Sequence, residues 1–350
     1  MPCLPEPACF LRWIQNCYKH RKCPDAAGTT SSQKLKIIEG CIDFLPDFLL
    51  RLRRIMNLML IITADDLGFS VSRNMAILEA ARFGSVSSAS LMVNMPEAEN
   101  ACRAVRDKTP QLRIGLHFTL TSGRPVSASQ RVPLLIDSNG LFRHHFLSLW
   151  NNIAQPEFLE QVRIEFEAQL QLMNEFEKCY KLQTDHLDSH QHIHAIQPIG
   201  NFLTNAAKPR CWSVRVPCER YGSWKRLFPF RTLLPVGDIK TMILKFCAKN
   251  RKPDHCYFGV LDSGKMGWNA WNRIFEIVRD SPMRCEVNVH PGCLTGAEAA
   301  MESLCCSRDD RNFHCNIWRR REFDVLLDPN FIETLQKNKL FPLQTWQTLK

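Results

Sequence analysis

Leu58-Met-Leu-Ile-Ile-Thr-Ala64 is an unbroken apolar run that ends on Asp65-Asp66-Leu-Gly68. A run of this length without polar alternation suits a strand buried on both faces, as in a parallel sheet. Val71, Met75, Leu78 and Arg82 follow at helical spacing, so a helix succeeds the strand. The unit recurs, with strands predicted over 87–93 and 112–120 and helices over 96–106 and about 157–181. In the long helix Phe158, Val162, Phe166, Leu170 and Met173 share one apolar face. Further strands are predicted over 186–193, 213–216, 257–260 and 285–290, with a helix over about 268–279. This alternation implies an α/β protein with a largely parallel sheet. Six or seven such strands fit a closed or nearly closed (β/α) barrel better than an open sheet, although periodicity alone does not choose.

Composition narrows the function classes. The chain has 350 residues, 45% of them hydrophobic, enough for a substantial core. Its net charge of +10 comes from scattered Lys and Arg, without zinc-finger spacing, an RNP-type aromatic run or a basic-region helix, so no nucleic-acid partner is expected. The 16 cysteines show no regular spacing and no CxxC pair, which reads as reduced thiols in a cytoplasmic or nuclear compartment. No apolar stretch is long enough to span a membrane, and no signal peptide is read. Residues 1–55 lack strand-helix alternation and read as an extension, either poorly ordered or a single amphipathic helix over 37–55 ending in Arg51, Arg53 and Arg54. Met56 offers an alternative start, and residues 56–350 are read as the catalytic domain.

Polar residues gather at the C-terminal ends of the predicted strands, where parallel α/β folds carry their sites. The first strand ends in Asp65 and Asp66, which alone would suit helix capping. The third ends in His117. The segment His186-Leu-Asp188-Ser-His190-Gln-His192-Ile-His194 puts four histidines and an aspartate at alternate positions, hence on one strand face. Burying five polar side chains without partners would cost roughly 2–7 kcal/mol each, so a metal centre explains the segment better than a solvated histidine-rich loop. A fourth strand end, Glu286-Val-Asn-Val-His290-Pro-Gly292, makes His290 a candidate general acid or orienter of the base. Arg215 and Glu219 are candidates for binding a sugar hydroxyl or carbonyl, or for a structural ion pair.

Thr-Ala-Asp65-Asp66-Leu-Gly, Gly-Leu-His117, Asp188-Ser-His190-Gln-His192-Ile-His194, Arg215-Val-Pro and 286–292 together resemble the YdjC family of carbohydrate deacetylases. The likeness runs from about Met56 to the C-terminus. It includes Gly123-Arg-Pro125, Ser263-Gly-Lys265 and Trp318 with Arg321-Glu322. The resemblance implies a TIM-like barrel of about seven strands that removes N-acetyl groups from chitin-type oligosaccharides with one divalent cation. It makes Asp65 the general base, Asp66, His117 and one histidine of His190, His192 and His194, with His190 the first choice, the metal ligands, and His194 or His290 the acid that protonates the leaving amine. Magnesium is the ion the family implies, while mixed Asp and His donors also admit zinc, manganese or cobalt. A homodimer is compatible, since uncovered apolar helices of such barrels can pair. Residues 194–215 leave little room for a full helix, so one βα unit is expected to be incomplete. The alternatives are metal-dependent hydrolysis of another bond, a phosphoester or cyclic amide, which calls for a second cation or an Arg and Lys cluster, and a non-catalytic barrel that only binds.

Overall fold

The computed structural model describes residues 60–219, 255–260, 262–264, 266–281, 284–292, 318–338 and Leu340. Expectations for residues 1–55 lie outside this set. Seven strands are described: β1 Leu60–Leu67, β2 Ser88–Leu91, β3 Arg113–Phe118, β4 Gln183–Ser189, β5 Ser213–Val214, β6 His255–Phe258 and β7 Arg284–Val289. All their pairings are parallel, in the order β5-β4-β3-β2-β1-β7-β6. The sheet is a curled half-barrel with flanking helices, an α/β fold of the TIM-like kind. Between strands lie α1 Val71–Phe83, α2 Ala98–Lys108, α3 Phe146–Asn152, α4 Pro156–Tyr180, α5 Gln197–Ala207 and α6 Trp268–Asp280. After β7 come α7 Trp318–Leu326 and α8 Pro329–Lys337.

Alternation along each strand divides the sheet into two unlike faces. Leu60, Ile62, Ala64, Ala89, Leu91, Ile114, Leu116, Phe118, Leu187, Val287 and Val289 belong to the core under the helices. The register aligns the other set: Thr63 with Ser88 and Asn288, Ser90 with Gly115, Gly115 with His186, and His117 with Asp188. The concave face is therefore polar, and the apolar stabilisation comes from the face toward the helices.

Two backbone irregularities position the site. Between Ala64 and Leu67, β1 holds two residues where β2 has only Ser90 between Ala89 and Leu91. This bulge, with Asp66 at φ +70°, lets neighbouring carboxylates enter one site instead of pointing to opposite faces. The turn closes on Gly68 at φ +90°, where a Cβ would lie 3.0 Å from the Ala98 backbone. The other irregularity follows β4, which stops at Ser189. His190–Ala195 is a tight turn with Gln191 and His192 in the left-handed region. The expectation of a single strand face carrying His186 to His194 is thus corrected: His186 and Asp188 share a face, but the later histidines leave in separate directions. Left-handed backbone is costly for side chains with a Cβ, by roughly 1–2 kcal/mol per residue, so surrounding contacts must hold this turn.

The expected gap between 194 and 215 is corrected too. Helix α5 fills it from Gln197 to Ala207, burying Ile199, Gly200, Leu203 and Ala207; it starts beside Pro198, ahead of the segment that looked too short. Nor does α1 bury Val71 and Met75, which are exposed. Its inner face is Ala76, Ile77, Ala80 and Ala81 with Ser72, Arg73 and Asn74. The 123–145 loop is anchored along α4. Glu165 accepts the backbone N–H groups of Val126 and Ser127 at 2.9 and 3.0 Å, and Gln161 accepts that of Leu134 at 2.8 Å.

Candidate metal centre and active site

Asp66 Oδ1 lies 3.1 Å from His190 Nδ1 and 3.6 Å from His117 Nε2. Asp66, His117 and His190 are buried and present one donor atom each within 4.8 Å of one another. The second atoms of two of these side chains are occupied. Asp66 Oδ2 accepts Arg319 Nη2 at 2.7 Å and Arg73 Nη1 at 3.1 Å. His117 Nδ1 faces Asp188 Oδ1 at 2.7 Å, an arrangement that directs the Nε2 lone pair at the centre, as carboxylate partners do for metal-ligating histidines. Burial would raise the Asp66 carboxyl, but Arg319 and hydrogen bonds from His117 and His190 hold it well below its usual range. Burial would lower the His117 imidazole, yet the carboxylates of Asp188 and Asp65 lift it to about 10, so a cation binding here would displace a proton from Nε2. One carboxylate oxygen and two imidazole nitrogens converging in a dry, anion-rich place are the chemistry of a divalent-cation site.

Asp65 stands beside this group. Arg215 grips it with Nη1 to Oδ2 at 2.8 Å and Nη2 to Oδ1 at 2.9 Å, and Asn288 donates to Oδ2 at 2.5 Å. Burial pushes its carboxyl up, against the opposing pull of Arg215. His290 Nε2 lies 4.0 Å from Asp65 Oδ2 and 3.5 Å from Asn288 Nδ2. The His290 backbone N–H is held by Glu322 Oε2 at 2.6 Å.

The other residues singled out in the sequence sit further back. His194 is fully buried, its Nδ1 on Ser189 Oγ at 2.5 Å and its Nε2 on the Arg215 carbonyl at 3.0 Å. His192 Nε2 meets the Tyr257 hydroxyl at 3.5 Å. Glu219 accepts the Val260 N–H at 3.0 Å. Arg215 reaches Glu286 through Nε and Asp188 through Nη1, each at 2.8 Å. His186 packs so close to Gly115 that a Cβ there would fall 2.3 Å from its ring. Asp65 and Asp66 do not cap α1; Ser70 does, accepting the Arg73 N–H.

Sequence reasoning passed over Arg73, Arg319 and Asn288. Arg73 lies on the helix face turned inward, with its guanidinium 3.6 Å over the Phe69 ring. Its burial beside Ala76 and Ile77 is set by tertiary contact and leaves no mark in the sequence. Asn288 stood in the alternation with Glu286 and His290. Arg319 has no local signal, since its partner is 253 positions away.

A family model described as YdjC-like protein matches residues 59–337. A chitooligosaccharide deacetylase of Proteus mirabilis is 35% identical over 159 residues, covering 45% of this chain and 58% of that protein. A carbohydrate deacetylase of Brevibacillus brevis is 40% identical over 161 residues, covering 45% and 59%. The chain thus spans less than two thirds of the length of these curated relatives. A crystal structure from Enterococcus faecalis, named for a suggested role in cellobiose-phosphate cleavage, aligns with a TM-score of 0.60 at 23% identity. It covers 83% of this chain and 98% of that one, and speaks to the fold.

Proposed function

The chain belongs to the YdjC-like protein family, and from that premise we propose that it is a metal-dependent carbohydrate deacetylase acting on N-acetylated, chitin-type oligosaccharides. The observation that carries this reading is the convergence of Asp66, His117 and His190 beside a carboxylate gripped by an arginine. These three side chains would hold one divalent cation, which when bound supplies Lewis-acid polarisation of an acetamide carbonyl and acidifies water. Magnesium is the ion family membership favours; zinc, manganese and cobalt also suit the donors.

Asp65 is the general base. Its Oδ1 accepts one hydrogen bond from Arg215 and keeps a lone pair to receive a proton from the attacking water. His290, across from Asp65, carries the proton that the leaving amine takes up. His194 was the other candidate for that step. With Ser189 and the Arg215 carbonyl on its two ring nitrogens, it serves to hold the turn and Arg215 in place. Of Arg215 and Glu219, candidates for sugar contacts or for a structural ion pair, Arg215 is ion-paired with Glu286 and Glu219 accepts the Val260 N–H. Phosphoester hydrolysis calls for a second cation or an Arg and Lys cluster; Arg73, Arg215 and Arg319 do surround the site, but each is bonded to a carboxylate.

We assign catalysis to 56–350 and none of it to 1–55. Among the described residues no helix is long and apolar enough to cross a membrane, and Cys102, Cys179, Cys211, Cys218, Cys256 and Cys285 are free. The test is acetate release from N,N′-diacetylchitobiose and longer chitin oligomers by metal-stripped protein, with magnesium, zinc, manganese or cobalt added back. It is run on the full chain and on a chain beginning at Met56. Metal-dependent acetate from both supports the reading; a folded, metal-loaded protein that releases none with any ion sinks it.

A further inference from the structure

His186 stands outside the cation group, yet the strand around it is bent to seat it. Where Thr184 faces Ile114 and His186 faces the next residue, Gly115, Asp185 is an extra residue in β4. This bulge brings consecutive side chains together, with Asp185 Oδ1 on His186 Nδ1 at 2.8 Å. From β4 the imidazole passes over β3, where a Cβ on Gly115 would fall 2.3 Å from the ring, to the hydroxyls of β2. Its Nε2 lies 3.3 Å from Ser90 Oγ and 3.5 Å from Ser88 Oγ. Ser90 gives its own proton to Asp188 Oδ2 at 2.6 Å, so in its contact with His186 the Nε2–H donates. Asp188 Oδ1 in turn holds His117 Nδ1. All of these side chains are buried.

Asp185, His186 and Ser90 stand in the order of an acyl-transfer triad, but a buried serine whose proton goes to Asp188 is not poised to attack. Nor is an aspartate beside a histidine an economical way to fill a dry space, since apolar residues of similar volume do so at lower cost. We propose that His186 is a positioning residue for the metal centre: seated by Asp185, it reaches over Gly115 to hold the Ser90 hydroxyl, which fixes Asp188 and through it the ligand His117. The chain of bonds runs from a metal ligand on β3 out to β4, back to β2 and again to β4, so three strands share in aiming one imidazole. This inference rests on the cation site proposed above and not on the identity of the substrate.

The test is affinity for manganese(II) alone, read from the paramagnetic signal of the free ion, in wild type, S90A, H186N, H186Q and the double variant S90A/H186N. Circular dichroism confirms folding of each. S90A should bind the ion about tenfold or more weakly, the low end of what outer partners of metal-ligating histidines contribute. H186N keeps a side-chain amide near Asp185 but falls short of Ser90, and should lose affinity likewise. H186Q places an amide where Nε2 stood and should bring most of the loss back. The double variant should bind no more weakly than S90A, since both changes cut one chain. A folded S90A with wild-type affinity overturns the proposal, and that variant, which removes a single oxygen, decides even if H186N does not fold. Equal affinity of H186N and H186Q, or losses that add in the double variant, would also end it, because a ring that only fills space gives no such pattern. Absence of the ion from wild type would strike the cation site and this inference with it, whereas wild-type binding with S90A unchanged strikes the inference alone.

Discussion

Adjacent carboxylates on one bulge have opposite surroundings, and this sets their separate predicted roles. Asp66 Oδ2 is clamped by Arg73 and Arg319 while Oδ1 faces two imidazoles; Asp65 is clamped through both oxygens by Arg215. Asp65→Asn should keep the metal and lose turnover by roughly 10²–10⁴-fold, the range of a general base. Asp66→Asn should lose the metal and, by removing the carboxylate charge that two buried arginines share, about 3–5 kcal/mol of stability. Metal content and melting of the two variants check this; the reverse pattern would exchange the roles. Glu322 offers a pH test. Burial raises its carboxyl to about 7 against the pull of the His290 and Met266 N–H groups. Folded protein therefore binds the proton more tightly than unfolded chain, and the associated stability is full below about 4.5 and lost as pH rises through 7, on the order of 3 kcal/mol. Glu322→Gln should show a shallower fall of melting temperature between pH 5 and 8 than wild type; parallel curves would refute it. The strand-end position of Asp66, His117 and His190 made their convergence legible in the sequence. Arg73 and Arg319 were not, because a buried arginine is recognised only by its partner, and the partner is set by tertiary contact.

At the level of elements, parallel strands were the most legible feature, since apolar runs such as Leu58 to Ala64 have few other uses. Their ends were less so. Periodicity carried β4 through to Ile193, but the alternation of His190, His192 and His194 belongs to a turn with left-handed residues, which pattern alone does not distinguish from a strand. On α4 the expected apolar face is present, and beside it runs a polar stripe that pattern reading ignores. Gln161, Glu165 and Gln169, one turn apart, bind Leu134, the Val126–Ser127 backbone and Thr119. Glu165→Ala would take an acceptor from four donors, the two backbone amides, the Ser127 hydroxyl and the Gln169 side-chain amide, at about 1–3 kcal/mol each. The variant should show faster amide hydrogen exchange at Val126 and Ser127 than wild type, with β2 little affected. Unchanged exchange there would mean that the 123–145 loop is held by Val132, Leu135 and Phe142 in the core and not by the stripe.

Across the whole molecule, the apolar layer under the helices and the polar concave layer come from the two faces of the same strands, so the fold and its site share one pattern. The barrel class was legible because every strand needed a helix to cover it. What was not legible is how the polar layer becomes neutralised, which depends on pairs far apart in the chain. Arg215 lies 150 positions after Asp65 and 71 before Glu286. During folding, a sheet made only of β1 to β4 would bury Asp65 without the arginine that grips it and leave Asp188 to His117 alone, at a cost of several kcal/mol. The first four strands thus have no stable stopping point of their own, and their concave side must stay wet until the chain beyond residue 212 docks. A fragment of residues 56–212 should accordingly show little cooperative unfolding or amide dispersion at pH 7; a well-folded fragment would remove the argument. Arg215 then acts in time as well as in space: its arrival is the step that commits the early strands to the native state, and contacts of such long sequence separation make that step slow and all-or-none.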